Sequence, residues 1–288
     1  MPEYEISADD FTRAHRAQVT LLNALAIEEK YEILVSNFMD FERTAVNLAL
    51  IDAIRDIATH LEVFENRVAL NTRLVNFLSA ARMYLDQLPQ HMTGSSTISL
   101  SAQKEQLKKE CSQEYDRHFE YRFMEALRNH VQHRGTPVHL TSYHAEWKSI
   151  ESDRFMEFSI RVTATRIRLK EDDTFKKSVL EEMPEDVDLA RALRQYVESI
   201  SNIHCFARSV IAKDVDDART LIDSLRTKYS QLYDGSLAGL SAHQLDDDNR
   251  MGTSVPLELD WDDVRVGLQQ RNKKLVNLTK RSVVSPPQ

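Results

Sequence analysis

The chain has 288 residues, 42% hydrophobic and 28% charged, enough for a sizeable core and ordinary for a globular fold. A net charge of −8 excludes the global basic field that holds DNA or RNA in a stable complex, although a nuclease needs only a local site and brief contact. The two cysteines, Cys111 and Cys205, form no Cys-x-x-Cys pair, which argues against a disulfide framework and a structural zinc site.

Glycine and proline are both absent between Pro2 and Pro89, from Val138 to Met183 and from Glu185 to Asp234. Helices run through such unpunctuated stretches, whereas many-stranded sheets need frequent turn residues, so the expected class is mostly α. Ser7-Ala8-Asp9-Asp10 reads as a helix start. Apolar periodicity through Val19, Leu22, Ile33, Leu34, Phe38, Leu50, Ile54 and Leu61 predicts two or more helices in residues 8–64. Leu70, Leu74, Phe77, Leu78, Ala81, Leu85 and Leu88 recur at threes and fours, an amphipathic helix over 66–88 that Pro89 is expected to stop. A loop at Thr93–Thr97 leads to a helix over 101–133, ended by Gly135 and Pro137. The two helices read as an antiparallel hairpin.

The period then changes. Met156, Phe158, Ile160, Val162 and Ala164 alternate with polar residues, a half-buried strand, and Val138 to Trp147 is its expected partner in a small β-hairpin over about 138–169. Helices resume over 174–182, in the stripe Leu189, Leu193, Val197, Ile200, Ile203 and Val210, and again over 214–233. Residues 234–256, with Gly235, Gly239, Gly252, Pro256 and Asp246-Asp247-Asp248, read as a solvated linker. A short helix within 257–280 and a flexible tail from Ser282 complete the chain. The expected organisation is thus one helical domain over 1–233, a linker over 234–256, and a helix and tail over 257–288. No apolar run reaches membrane-spanning length, and the acidic start Met1–Glu5 lacks a signal peptide's pattern. The expectation is a cytoplasmic protein with no membrane partner.

The segment richest in chemistry is Arg128-Asn129-His130-Val131-Gln132-His133, closed by Gly135 and Pro137. Arginine holds negative charge, an amide orients it, and histidine moves a proton near neutral pH, together a kit for phosphoester chemistry. Asn129 and His133 are four apart and share a helix face. Arg128 is five from His133, roughly 140° around an ideal helix, so one straight helix does not converge all three groups. Either the helix loosens near Gly135, or a two-fold copy brings a second set to the same cleft. The plainer alternative is that Arg128 and His133 pair with acidic neighbours or cap the helix. Arg134 and Arg122 either contact phosphate or form a solvated face. Arg82, with Asn71 and Asn76, either faces the motif from the preceding helix or satisfies local backbone groups. His130 either contacts substrate or packs inside. His118, His130, His133, His139 and His144 form a loose cluster, but no His-Glu-x-x-His occurs, and no metal is expected. The chain has no Gly-rich phosphate loop, and no cofactor is expected.

Arg128, the polar Asn129 after it and His133 at a helix end resemble the R-x(4–6)-H motif of the HEPN superfamily. The flanking Phe123–Leu127 and Gln132–Gly135, and the preceding helix from Asn66 through Asn76–Arg82, resemble bacterial proteins of that type, so the likeness covers roughly residues 66–137. The resemblance implies a helical bundle that dimerises through its motif helices. It also implies metal-independent endoribonuclease activity, as in toxins and antiviral effectors, with RNA as substrate and an antitoxin or regulator as partner; the acidic net charge, separately, predicts no stable DNA binding. On this reading Arg128 and His133 are the catalytic pair, Asn129 orients, and RNA cleavage leaves a 2′,3′-cyclic phosphate. The alternative within the same family is a non-catalytic dimerisation module.

Overall fold

The computed structural model describes residues 3–55, 59–95, 100–150, 153–233, 236–245 and 250–283. The expected loop at Ser96 and Thr97, the Asp246–Asp248 run and the tail from Val284 lie outside the described residues. The described chain is mostly helical: α1 (Ala8–Arg55), α2 (His60–Gly94), α3 (Leu100–Arg117), α4 (Phe119–His133), β1 (Leu140–Ile150), β2 (Asp153–Thr165), α5 (Arg166–Lys170), α6 (Lys177–Glu182), β3 (Asp186–Asp188), α7 (Leu189–Leu232), β4 (Ser241–Leu245), β5 (Met251–Pro256) and α8 (Asp260–Arg271). No described helix is long and apolar enough to cross a membrane.

Helix starts follow local chemistry. The Ser7 hydroxyl accepts from the Asp10 N–H at 3.0 Å, opening α1 where the sequence predicts. Thr59 and Glu62 form a reciprocal capping box before α2: the Thr59 hydroxyl accepts from the Glu62 N–H at 3.2 Å, and the Thr59 N–H donates to the Glu62 carboxylate at 2.9 Å. Helix ends depart from expectation in three places. Pro89 does not stop α2, which continues to Gly94. Leu88 and Met92, on either side, are both buried, and their packing outweighs the hydrogen bond that proline removes. The helix expected over 101–133 breaks at His118, whose backbone is extended, giving α3 and α4. Arg122 bridges the break by donating to the freed carbonyls of Tyr115 (2.6 Å) and Asp116 (3.0 Å). The stripes expected as separate helices over 189–210 and 214–233 form the single helix α7.

β1 and β2 pair antiparallel from Leu140 opposite Thr163 to Ile150 opposite Asp153, and β3 adds a third strand on β2, in the order β1-β2-β3. Residues 234–256, expected as a linker, hold the antiparallel pair β4–β5 instead. Buried Ala242 and Val255 anchor it, the Leu257 N–H donates to the Leu240 carbonyl at 2.8 Å, and Gly239 makes its entry at φ +72°, a region that favours glycine. The described polar residues of this ribbon, among them His243, Gln244, Thr253 and Ser254, are exposed.

The chain divides into two compact units, neither continuous in sequence. The first comprises Met1–Glu32, Tyr84–Lys109 and His204–Lys273, with Ile27, Tyr31, Tyr84, Leu88, Ile211 and Ile222 in its core. The second comprises Ile33–Met83, Glu110–Ile203 and Lys274–Gln288, with Phe41, Leu74, Phe77, Phe123, Leu127, Val162 and Val197 in its core. This differs from the expected single domain over 1–233. Helices α1, α2 and α7 each supply residues to both units, so position along the chain does not reveal the division.

Candidate functional site

Helix α4, in the second unit, positions the motif. Its buried face is Tyr121, Phe123, Met124, Ala126, Leu127 and His130. Its helical turn runs regularly through His133, and the His130 carbonyl then accepts from the N–H groups of both Arg134 (2.8 Å) and Gly135 (3.2 Å). The helix therefore does not loosen before His133, which removes the first of the two routes to convergence.

His130 is not on the open face. It is 8% exposed, and its Nδ1 lies 2.7 Å from Asp172 Oδ2. The other oxygen of Asp172 accepts from the Thr174 N–H (3.0 Å) and hydroxyl (2.6 Å). Burial opposes the Asp172 carboxylate, but the donors on Thr174 and His130 outweigh it and hold its pKa at about 2. Phe175 meets the His130 ring edge-on at 6.1 Å. Glycine is required at 135 because a Cβ there would sit 2.9 Å from His130 Nε2. Farther along, the Asn71 amide fixes both backbone groups of Val138, accepting from its N–H at 2.8 Å and donating to its carbonyl at 3.5 Å. His139 Nδ1 accepts the Thr165 N–H at 2.9 Å; burial first, then the charges of His130 and Arg168, lower its pKa. The end of α4 is thus fastened on both sides to the body of the unit.

Against this fixed background three residues of one turn differ. Asn129 and His133 are exposed and have no hydrogen bond or ion pair among the described residues. Arg128 is half-buried: one terminal nitrogen donates to Gln132 Oε1 at 2.9 Å, while Nε is enclosed without a hydrogen bond. Beneath them, the Tyr196 hydroxyl donates to Glu125, and burial and the Glu125 charge raise its pKa well above the usual value. Burial, with Glu125 and Glu110, pushes the Cys111 thiol up to about 11, so it is a thiol rather than a nucleophilic thiolate.

The remaining candidates are engaged to different degrees. Arg122 donates to Glu182 at 2.5 Å in addition to the two α3 carbonyls. Arg134 pairs with Asp172 at 3.6 Å and Asp173 at 3.5 Å, and keeps half its surface open. Arg82 is half-buried on α2, and its charge acts on Tyr121. Asn76 is exposed on α2, whereas Asn71 is buried. The described residues contain no group of three or more His, Cys, Asp or Glu placed to hold a metal ion. Sequence reasoning missed Asp172. Its one local signal is Asp172-Asp173-Thr174, the spacing of a side chain that bonds the backbone two residues on. Nothing in sequence ties it to His130, 42 positions away.

Compared with known proteins, the chain matches no family model, no curated protein and no solved structure.

Proposed function

We propose that the chain is a HEPN-like, metal-independent endoribonuclease that acts as a homodimer, with Arg128, Asn129 and His133 as the working residues of each copy. The observation that carries this reading is the exposure of His133 and Asn129, without partners among the described residues, on a helix end fastened by its neighbours. A catalytic side chain needs a rigid mount and a free reactive end, and α4 gives His133 both. In RNA cleavage the 2′-oxygen forms a bond to phosphorus, the bond from phosphorus to the 5′-oxygen breaks, and a cyclic phosphate remains. One imidazole takes the 2′-hydroxyl proton and another gives a proton to the leaving 5′-oxygen. One copy has a single free histidine in the motif, so the pair requires two copies, as a two-fold dimer of α4 supplies. Arg128 stabilises charge on the phosphoryl oxygens through the donors not engaged by Gln132.

A second reading is favoured by one observation. The Arg128 guanidinium is already partly engaged, by Gln132 and by enclosure of Nε, as a purely structural arginine would be. On that reading the chain is a non-catalytic interaction module. Wild type and His133→Ala, incubated with total RNA in EDTA, separate the two. The ribonuclease reading expects cyclic-phosphate ends from wild type and a loss of about 10²–10⁴-fold in the variant. Intact RNA with both proteins favours the interaction module, and equal cleavage by both removes His133 from the mechanism.

A further inference from the structure

Around the motif the chain is locally basic. Residues 126–145 and 158–177 carry eight arginines and lysines against three acids, in a chain whose net charge is −8. Three of the eight, Arg166, Arg168 and Lys170, stand on the five-residue helix α5, which buries only Leu169 and leaves all three exposed. Both ends of α5 are tied to the segment that carries His133. At its start, the Thr165 N–H donates to His139 Nδ1 at 2.9 Å, and the His139 N–H donates to the Thr163 carbonyl at 2.9 Å. Just past its end, the Asp172 N–H donates to the Leu169 carbonyl at 3.2 Å, while the Asp172 carboxylate lies 2.7 Å from His130 Nδ1 and 3.6 Å from Arg134. His130 stands three residues before His133, and His139 six after it. A helix of five residues rises only about 7.5 Å. Its three cations are therefore held along the same stretch of backbone that presents His133.

The acids of these segments do not cancel the cations. Asp172 is 8% exposed, with its oxygens turned to His130 and Thr174. Glu171, 3.6 Å from Arg168, and Asp173, 3.5 Å from Arg134, are exposed. Surface pairs of that kind are weak, and a phosphate, which arginine binds through charge-assisted and often bidentate hydrogen bonds, displaces them. Arg166 and Lys170 make no side-chain hydrogen bond or ion pair among the described residues. We infer that Arg166, Arg168 and Lys170, with Arg134 next to His133, are the surface that grips the phosphates of an RNA strand as it passes the His133 turn. The choice of ligand rests on the ribonuclease reading. A strand being cut continues beyond the scissile phosphate, and its flanking phosphates need neutralising. A chain at −8 repels RNA over most of its surface, so a local run of cations is what makes a brief complex possible. Such contacts set the position of the strand and read no sequence. Each copy of the proposed dimer contributes one such surface.

Anisotropy titrations of a labelled oligouridylate with full-length His133→Ala, across a salt series, test it; that background leaves the strand intact. One comparison adds Arg166→Ala, Arg168→Ala and Lys170→Ala. A charge-matched one adds Lys104→Ala, Lys108→Ala and Lys109→Ala on α3, which are also exposed. Far-UV circular dichroism checks that each protein keeps its fold. For a single strand the log–log salt slope is about 0.7 per phosphate neutralised, so the α5 variant is expected to show a slope shallower by about 2 and an affinity lower by at least about tenfold. Binding that the α5 variant loses no more than the α3 variant overturns the inference. So does a protein that binds no oligouridylate, including one that instead co-floats with phosphatidylserine vesicles. Cleavage of total RNA by wild type in EDTA is read separately. Binding that depends on α5, without any cleavage, keeps this surface and removes the nuclease. Cleavage lost in His133→Ala, with binding unchanged in the α5 variant, keeps the nuclease and removes this surface.

Discussion

Two regions of the molecule use the same residue types to opposite ends. In the first unit, Glu28 receives two donors from Arg208, at 2.7 and 2.5 Å, and Arg208 also donates to the Asn272 carbonyl at 2.8 Å. His204 Nδ1 lies 2.7 Å from the Tyr84 hydroxyl, and its ring stacks on Tyr31 at 3.7 Å. Its Nε2 is 3.3 Å from Glu28, close enough for charge attraction but off the line of a hydrogen bond. Glu28, His204, Tyr31 and Tyr84 are all within 1% of full burial. This carboxylate, imidazole and phenol resemble a catalytic relay, yet no substrate reaches them. In the second unit, His130 and Asp172 repeat the buried imidazole–carboxylate pair, and three residues on His133 stands open. A polar group closed on its neighbours serves the fold; one held rigidly with its reactive end free is a candidate for chemistry.

The contrast breaks most readily at Glu28. Replacing it with alanine leaves Arg208 without its carboxylate, and loss of one partner of a buried pair costs about 3–5 kcal/mol. Urea unfolding of Glu28→Ala at pH 7 checks this; a loss under about 1 kcal/mol would show that the cluster behaves as a surface pair. The same cluster fixes an acid limb. Burial opposes the Glu28 charge, but the His204 imidazole beside it and the two hydrogen bonds from Arg208 outweigh it and take its pKa from 4.5 to about 2. Burial is also the main cause of the lowered pKa of His204, ahead of the raising effect of Glu28. In both cases the unfolded chain binds more protons than the folded one as pH falls, so stability rises with pH. The His204 contribution is fully present above its ordinary value of 6.5 and declines below it. The Glu28 contribution is present above 4.5 and declines towards about 2. Urea midpoints are expected to fall from pH 7 to 5 and again from 5 to 3. A midpoint that is flat over the upper interval would assign the limb to carboxylates alone.

At the α4 end, Asp172→Ala is expected to cost less, about 1–3 kcal/mol, because it strands the His130 imidazole and the Thr174 donors next to partly open backbone. The informative readout is RNA cleavage at constant fold. If the pair only mounts His133, cleavage falls while the sensitivity to His133→Ala persists. Activity unchanged despite the loss of stability would mean that α4 needs no anchor there.

Much of this was legible in residue patterns, and the exceptions share a cause. Period-two alternation over 156–164 placed β2, and Ser7 with its two aspartates placed the start of α1. These are local signals, read within one or two turns of chain. Pro89 misled because buried packing on both sides overrides its local preference. The break at His118 left no glycine or proline, since the carbonyls it frees are satisfied by Arg122 from the next helix. The motif itself was visible, but the division of labour within it was not. His130 and His133 look equivalent as letters, and only Asp172, 42 residues away, separates the mounted ring from the free one. Gly135 likewise reads as a helix stop, whereas its lack of a Cβ is what lets His130 seat beneath it.

The smallest expected effect is the sharpest test. His133 is exposed and has no partner among the described residues, so His133→Ala is expected to change stability by no more than about 0.5 kcal/mol. Asn129→Ala, on the same face, is expected to be as mild. Most substitutions that destroy function do so by unfolding; these two are placed to do so without it. Thermal unfolding of wild type and the two variants, set beside their cleavage rates, therefore separates mount from working group. Unaltered melting with lost cleavage assigns chemistry to the open face. A drop of several degrees, corresponding to about 1 kcal/mol or more in a domain of this size, would mean that His133 is bonded in solution, and the contrast between the closed and open histidines would collapse.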